Sequence, residues 1–427
     1  MSEAEEVPTR GYSHYVLAVL TVMYTFNYLD RYVLTILVVP IQEELGLSDT
    51  MMGFLLGPAF AFVYTGLGIP VAYLADRYSR RTILAISLTL WSAMTAASGL
   101  ARTATQLAVT RVGVGIGEAG GSAPAHSMIS DYFPAERRAF AFGIFQQGVY
   151  IGQMLGLAVG GILVEWIGWR ETFFAVGLPG IGIAIILHRT VRDPERGRFD
   201  PKPIVDESEP APGIREVFRT LWRRPSFRAL MVGGGIASFA GTGFGFWLPV
   251  LFERVHEMSR MEVGLIFGPV MALSGSAGAI LAGLLTDRLG KRDERFLMWI
   301  PAASVFLSLP FLLGVCLWPT SFGAIVCAVP SGILGGGWAP AVYAAAQSLA
   351  PPRMRALAAS LMILSITLVG MGAGPQAVGV LNDVLSSRFG EDAVRYSMSI
   401  VLVTSLVGSL VLLLGARHLK DDLRAGQ

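Results

Sequence analysis

Two basic hairpins lie 211 residues apart and read almost alike: Asp76-Arg77-Tyr78-Ser79-Arg80-Arg81 and Asp287-Arg288-Leu289-Gly290-Lys291-Arg292. Each joins two long apolar segments. A charged turn repeated in a hydrophobic chain implies two homologous halves, each threading a membrane several times, and so narrows the function to moving something across a bilayer. Only 15% of the 427 residues are charged, against about 25% in a soluble chain. Many of the 50 glycines sit inside apolar runs, where they let membrane helices approach closely. A net charge of +2 offers nothing to a nucleic acid. Cys316 and Cys327, the only cysteines, lie in apolar runs, and the histidines are scattered, so no disulfide framework, metal site or cofactor is expected. Met1 to Arg10 is polar and lacks a signal-peptide pattern.

A spanning helix needs about 20 mostly apolar residues. Twelve such segments are expected, near 13–39, 51–75, 82–101, 105–130, 139–164, 171–190, 228–252, 262–286, 296–317, 321–348, 356–382 and 396–416. The fold expected is an all-α membrane protein with twelve transmembrane helices in two pseudo-symmetric six-helix bundles, 1–190 and 227–427. Between them, residues 191–226 form a polar, proline-rich linker in which Ile214 to Trp222 is suited to a short surface helix. With this threading, 25 Lys and Arg fall on the face that carries the linker and both termini, and six fall on the opposite face. The richer face, with both termini, is expected to be cytoplasmic.

The remaining two basic residues, Arg31 and Arg111, lie inside spans, as do Asp30 and Glu118. Uncompensated charge at mid-membrane costs about 2.5 kcal/mol or more, so such groups face a cavity or a partner. Arg111 and Glu118 are seven apart and share a helix face, about 10 Å apart along the axis. They are too distant to pair with each other, but each can reach a different group in one cavity. Desolvation raises a carboxyl pKa and a nearby arginine lowers it, so Asp30 and Glu118 are the protonation candidates, with Arg31 and Arg111 as switchable counter-charges. Either arginine is also able to hold an anionic headgroup. The competing reading is a static ion-pair network that orients the first and fourth spans.

Several motifs carry a family resemblance over nearly the whole chain. Gly283, Asp287, Arg288, Gly290 and Arg292 match the Gly-x-x-x-Asp-Arg-x-Gly-x-Arg loop of the major facilitator superfamily. The first-half copy has Ala72 and Ser79 where glycines are usual. Arg111, followed by Gly115 and Gly117, stands where that family carries a membrane-embedded arginine. Asn27-Tyr28-Leu29-Asp30-Arg31, Gly117-Glu118-Ala119 and Asp131-Tyr132-Phe133-Pro134 resemble the Spinster-type lipid transporters, and the short loops resemble a bacterial member. The resemblance implies a monomeric secondary transporter in a bacterial cytoplasmic membrane, without enzymatic activity. It also implies that Asp76, Arg77, Asp287 and Arg288 act as gating loops that brace the halves in the outward-facing state. Arg80, Arg81, Lys291 and Arg292 are read as topology anchors.

Weaker signals remain. Gly115-x-Gly117-x-x-Gly120 matches a dinucleotide fingerprint by letter only, because it lies in an apolar helix and follows no strand. Gly152, Gly156, Gly160 and Gly161 are read as packing residues. Asn27, Gln146, Gln147, Tyr150, Trp247, Trp338 and Gln376 are candidates to line a pocket. The expected function is proton-coupled alternating access that moves an amphipathic lipid, such as a lysolipid or a sphingosine-1-phosphate-like molecule. The alternative is a proton-coupled exporter of drugs or a carrier of small organic anions.

Overall fold

The computed structural model describes residues 10–199, 214–351 and 354–424, and every regular element among them is helical. The first half holds α1 (Arg10–Ile36), α2 (Val38–Leu45), α3 (Asp49–Leu56), α4 (Pro58–Arg77), α5 (Arg80–Ser98), α6 (Ala104–Glu118), α7 (Ser122–Tyr132) and α8 (Ala135–Thr190). The linker contributes α9 (Ile214–Trp222), where the amphipathic pattern places it. The second half holds α10 (Pro225–His256), α11 (Arg260–Gly290), α12 (Phe296–Leu317), α13 (Ser321–Gly335), α14 (Trp338–Leu349), α15 (Arg355–Ser365), α16 (Gly374–Phe389), α17 (Ala393–Gly415) and α18 (Leu419–Arg424). A π-helical stretch, Ile366–Ala373, joins α15 to α16.

Local chemistry sets these boundaries. Ser48, Ser79, Thr103 and Thr320 cap the helices that follow them, and Ser259 with Glu262 forms a reciprocal capping box at α11. Gly168, at φ 85° and ψ 170°, turns α8 back on itself, so this one helical stretch supplies two passes. Pairing α3 with α4, α6 with α7, α13 with α14, and α15 with α16 leaves a tracing consistent with twelve passes. The hairpins, the described parts of the linker, the start of α1 and α18 lie at one end of the molecule, here the linker end.

Close packing follows the glycines. A Cβ on Gly152 would sit 2.3 Å from the Thr25 carbonyl, and one on Gly156 would sit 2.8 Å from that of Leu29, so α1 lies directly on the first arm of α8. Gly161 faces the other half instead, 2.4 Å from the Arg260 carbonyl. The apolar core is asymmetric. One cluster, including Leu34, Ile41, Trp247, Phe252 and Phe267, runs unbroken across both halves toward the end opposite the linker. Toward the linker end the core divides into one cluster within each half.

Arg80 departs from the role expected of it. It is buried rather than anchored at a membrane surface, with 1% of its area exposed. Its Nε donates to Asp193 at 2.9 Å and its Nη2 to the Pro194 carbonyl at 2.6 Å, while Nη1 pairs with Asp131. Arg196 returns to the carbonyls of Ala75 and Tyr78 at 2.8 and 2.9 Å. The start of the linker therefore folds over the end of α5, excluding water from a side chain that the sequence places in a surface hairpin. Lys291 and Arg292 in the matching hairpin stay exposed.

Removing one partner of a buried ion pair strands the other charge and costs about 3–5 kcal/mol. Arg80→Ala is expected to lower the melting temperature of the detergent-solubilised protein sharply. Arg292→Ala, an exposed change, is expected to leave it within about 0.5 kcal/mol of wild type. Equal melting of the two variants would show that the Arg80 network is no structural tie.

Candidate functional site

The four intramembrane charges come together between α1, α4, α5 and α6, and all four are buried. Arg31 reaches across from α1 to Glu118 at the end of α6, with Nε and Nη2 each 2.6 Å from Oε2. The guanidinium is caged by the rings of Tyr28, Phe60 and Tyr64, at 4.9, 4.7 and 5.0 Å from their centroids. Such contacts are worth about 0.5–2 kcal/mol each when desolvated, and they offset part of the cost of drying the charge. Asn27, one turn before Arg31, faces the same carboxylate.

The pairing is incomplete. Oε1 of Glu118, Oδ1 of Asp30, and Nε and Nη1 of Arg111 have no hydrogen-bond partner among the described groups. Asp30 accepts one bond, from Thr95 Oγ1 at 3.2 Å, and Arg111 lies 6.0 Å from the Phe60 ring. Unfilled buried polar atoms are costly, so a network with donors and acceptors to spare has other pairings open to it. Of the two arginines, Arg31 is engaged and Arg111 is not, which the seven-residue spacing of Arg111 and Glu118 left undecided.

A cavity of about 310 Å³ lies between the halves, walled mostly by α10–α14 and α17, and no charged side chain lines it. Tyr150 and Trp338 line it. Tyr32 and Gln153 also line it and were not singled out, although Gln153 stands one turn beyond Tyr150. Ser238, Thr242, Ser274, Ser308 and Ser331 donate to main-chain carbonyls and so present lone pairs to the space. Ser405 Oγ is buried there without a partner. Tyr32 follows Arg31 directly, so the phenols of Tyr28, Tyr32 and Tyr150 run from the charged cluster to the cavity.

The other pocket candidates are placed differently. Gln147 accepts from Ser276 Oγ across the halves at 3.2 Å, and Gln146 is exposed. Trp247 is fully buried in the shared apolar core, its indole donating to the Pro375 carbonyl at 2.9 Å. It faces α16 and not the cavity, which corrects the expectation from sequence. Gln376 packs beside Gly53 of α3, also away from the cavity lining.

A second group of residues closes the end opposite the linker. Arg254 on α10 grips Asp49 at 2.8 and 2.9 Å and Gln42 at 2.8 Å. Both carboxylate oxygens of Asp383 accept backbone N–H groups, of Asp49 at 3.1 Å and Thr50 at 2.9 Å. The Arg260 N–H donates to Glu165 at 3.1 Å. In the contacts of Arg254 and Arg260 across the seam the first half contributes the acids and the second half the bases, while Asp383 of the second half takes first-half N–H groups. Sequence reasoning had counted Arg254 and Arg260 only as two of six cations on the poorer face. That scarcity was the available signal. Between Gln147–Ser276 and the linker end, no hydrogen bond or ion pair joins the halves among the described residues. Of the residues expected to gate, Arg77 lies 4.2 Å from the ring of Tyr73 in its own helix, and Asp287 and Arg288 make no ion pair among the described residues. The Asp76 side chain lies outside the described residues.

Comparison with known proteins accords with this geometry. The sequence profile of the Major Facilitator Superfamily matches residues 20–375. An "MFS-type efflux pump" of Mycolicibacterium smegmatis is 32% identical over 97% of this chain and 95% of its own. Protein spinster homolog 3 of Danio rerio is 26% identical over 97% of this chain and 87% of its own. A crystal structure of a bacterial homolog to the human lysosomal transporter Spinster, inward-facing and unoccupied, superposes with a TM-score of 0.88 at 30% identity, covering 97% of this chain and 99% of that one.

Hydrogen bonds to charged groups contribute about 1.5–3 kcal/mol, so losing the Arg254 grip is expected to shift the open-to-closed ratio at that end by tenfold or more. Distance distributions between spin labels on α3 and α16 read this directly. Arg254→Ala is expected to add a long-distance population that Arg254→Lys largely suppresses. An unaltered distribution in Arg254→Ala would show that the shared apolar core alone holds this end shut.

Proposed function

We propose that this chain, which belongs to the major facilitator superfamily and is a transporter rather than an enzyme, moves an amphipathic lipid by proton-coupled alternating access. The reading rests above all on one observation: a buried, incompletely satisfied ionic cluster lies beside an uncharged cavity at the seam of the halves. An amphipathic molecule matches that division, with its anionic headgroup toward Arg31 or Arg111 and its apolar part in the second-half cavity. Transporters of this build bind cargo near the midplane and rock their halves about it.

The coupling we propose is an exchange of partners at Arg31. While Glu118 is ionised, it occupies the guanidinium. Protonation removes that negative charge and frees the donor fork for a phosphate or carboxylate of the cargo. Asp30 is the second proton carrier, with Arg111 as the counter-charge shared between the two acids. With the basic linker end taken as cytoplasmic, both termini lie inside, the arrangement described here is inward-open, and Asp76, Arg77, Asp287 and Arg288 re-engage when the linker end closes. Export of a drug-like compound is a second reading, favoured by the efflux-pump relative. A carrier of small organic anions would use the same arginines without needing the apolar cavity.

The test is flux of labelled lysolipid into liposomes, with and without an imposed pH gradient. The wild type is expected to respond to the gradient, Glu118→Gln to lose that response along with at least tenfold of the rate, and Arg31→Lys, which keeps the charge without the planar fork, to bind cargo more weakly. Unchanged rate and pH response in both Asp30→Asn and Glu118→Gln would end the proton reading. Competition by drugs or small anions but not by lysolipid would transfer the site to the second reading.

A further inference from the structure

The outer face of the first half carries a groove away from the cavity between the halves. It runs between α5 and the second arm of α8. These helices touch where a Cβ on Gly177 would sit 2.6 Å from the Ala96 nitrogen and one on Gly180 only 3.0 Å from Ser92 Cβ. Alongside and toward the linker end they leave a trough of about 730 Å³, a size that holds small-molecule ligands elsewhere. Its walls are Ala85, Ile86, Thr89 and Leu90 on α5, with Ala184 and Ile185 on α8. Ile86 and Ile185 are 62% and 49% exposed, so this side faces outward from the fold into the bilayer.

Its dimensions and polarity are matched to one leaflet. The lining runs along α5 from Thr82 to Ala93, about 16 Å of helix, and half of a bilayer's hydrocarbon thickness is about 15 Å. The mouth at the linker end is polar and cationic, formed by Thr82, His188 and Arg189, and no acidic side chain lines the groove. His188 and Arg189 are exposed and make no hydrogen bond or ion pair with the described residues. Arg81, next to Thr82, does not line the groove and its Nη1 reaches the Val191 carbonyl at 3.5 Å.

We propose that this groove binds an anionic phospholipid of the surrounding membrane, with an acyl chain along the α5–α8 trough and the headgroup phosphate on Arg189 and His188. The occupant is a resident of the linker-side leaflet, held at the lipid-facing surface, and it is distinct from any cargo between the halves. An arginine fork takes a phosphate through paired N–H bonds, and an interfacial cation attracts anionic lipid by about 1 kcal/mol, or roughly fivefold in affinity.

The test uses the full chain, purified and delipidated in detergent, with lipid retention read by native mass spectrometry. Phosphatidylglycerol and phosphatidylcholine of identical chains are titrated in parallel, with inorganic phosphate as a chain-free control. The wild type is expected to prefer phosphatidylglycerol by fivefold or more. Arg189→Ala is expected to lose about fivefold toward phosphatidylglycerol alone, the His188→Ala/Arg189→Ala pair to abolish the preference, and Thr89→Trp, which fills the trough from an exposed position, to weaken both lipids. Equal binding of the two lipids by the wild type would overturn the proposal, as would an unchanged preference in the double variant. Loss of the preference in Arg215→Ala/Arg219→Ala on α9, with the groove variants unaffected, would overturn it by moving the site to the linker helix.

Discussion

A guanidinium and a carboxylate pressed together away from water, Arg31 and Glu118, are the interaction on which the rest of this molecule depends. Two such charges are tolerable in the bilayer interior only as a pair. Their pairing therefore requires that α1 and the end of α6 be held in register. That register is set by close glycine contacts, Gly152 and Gly156 under α1 and Gly115 and Gly117 against Phe60 and Trp91. The aromatic cage then supplies an environment in which the arginine stays charged without solvent. Among the described residues nothing comparable occupies the second half, whose cavity is bounded mostly by hydroxyls committed to main-chain carbonyls. Ionic work and apolar accommodation are divided between the halves.

That division matters because the halves are joined unequally along their seam. At the end opposite the linker they share one continuous apolar core, reinforced by Arg254, Asp49 and Asp383. At the linker end they have separate cores. Small residues bring the seam into contact. Gly264 lies 2.2 Å, measured from an added Cβ, from the Leu157 carbonyl, and Gly57 lies 2.6 Å from that of Met371 within the π-helical stretch. Backbones at such range slide or part as units, and a π segment at that contact is the type of irregularity that accompanies moving parts. Among the described residues a polar tie and an apolar seal close one end and neither is found at the other, the asymmetry that the proposed rocking cycle requires.

The Arg80 network shows how this scaffold keeps its own halves rigid. By binding Asp131, Asp193 and Pro194 together, it attaches the start of the linker to α5 and α7. Only the second basic hairpin remains a simple exposed turn. The two hairpins are alike in sequence and unlike in environment, because residues 191–199 follow the first bundle and cover its hairpin, whereas α18 meets the second through Lys420 on Asp293 at 3.2 Å and leaves Lys291 and Arg292 exposed.

Apolar run lengths, the repeated hairpin and the amphipathic Ile214–Trp222 stretch were enough to predict a helical membrane protein, its approximate spans and a surface helix in the linker. Each of these depends on residues close in sequence. Charges stranded in apolar runs likewise marked Asp30, Arg31, Arg111 and Glu118 as groups that need a cavity or a partner, because the cost of burying a charge is a property of the residue itself. Which arginine meets which acid was decided only by tertiary packing, through the rotation of α1 against α6. The same holds for Trp247, whose type suited a pocket but whose position on α10 turns it into the core, and for Arg254 and Arg260, unremarkable as surface cations until folding brings the acids of the other half against them. Composition and periodicity determine what must leave water. Only the assembled helices determine which partner each buried group finds.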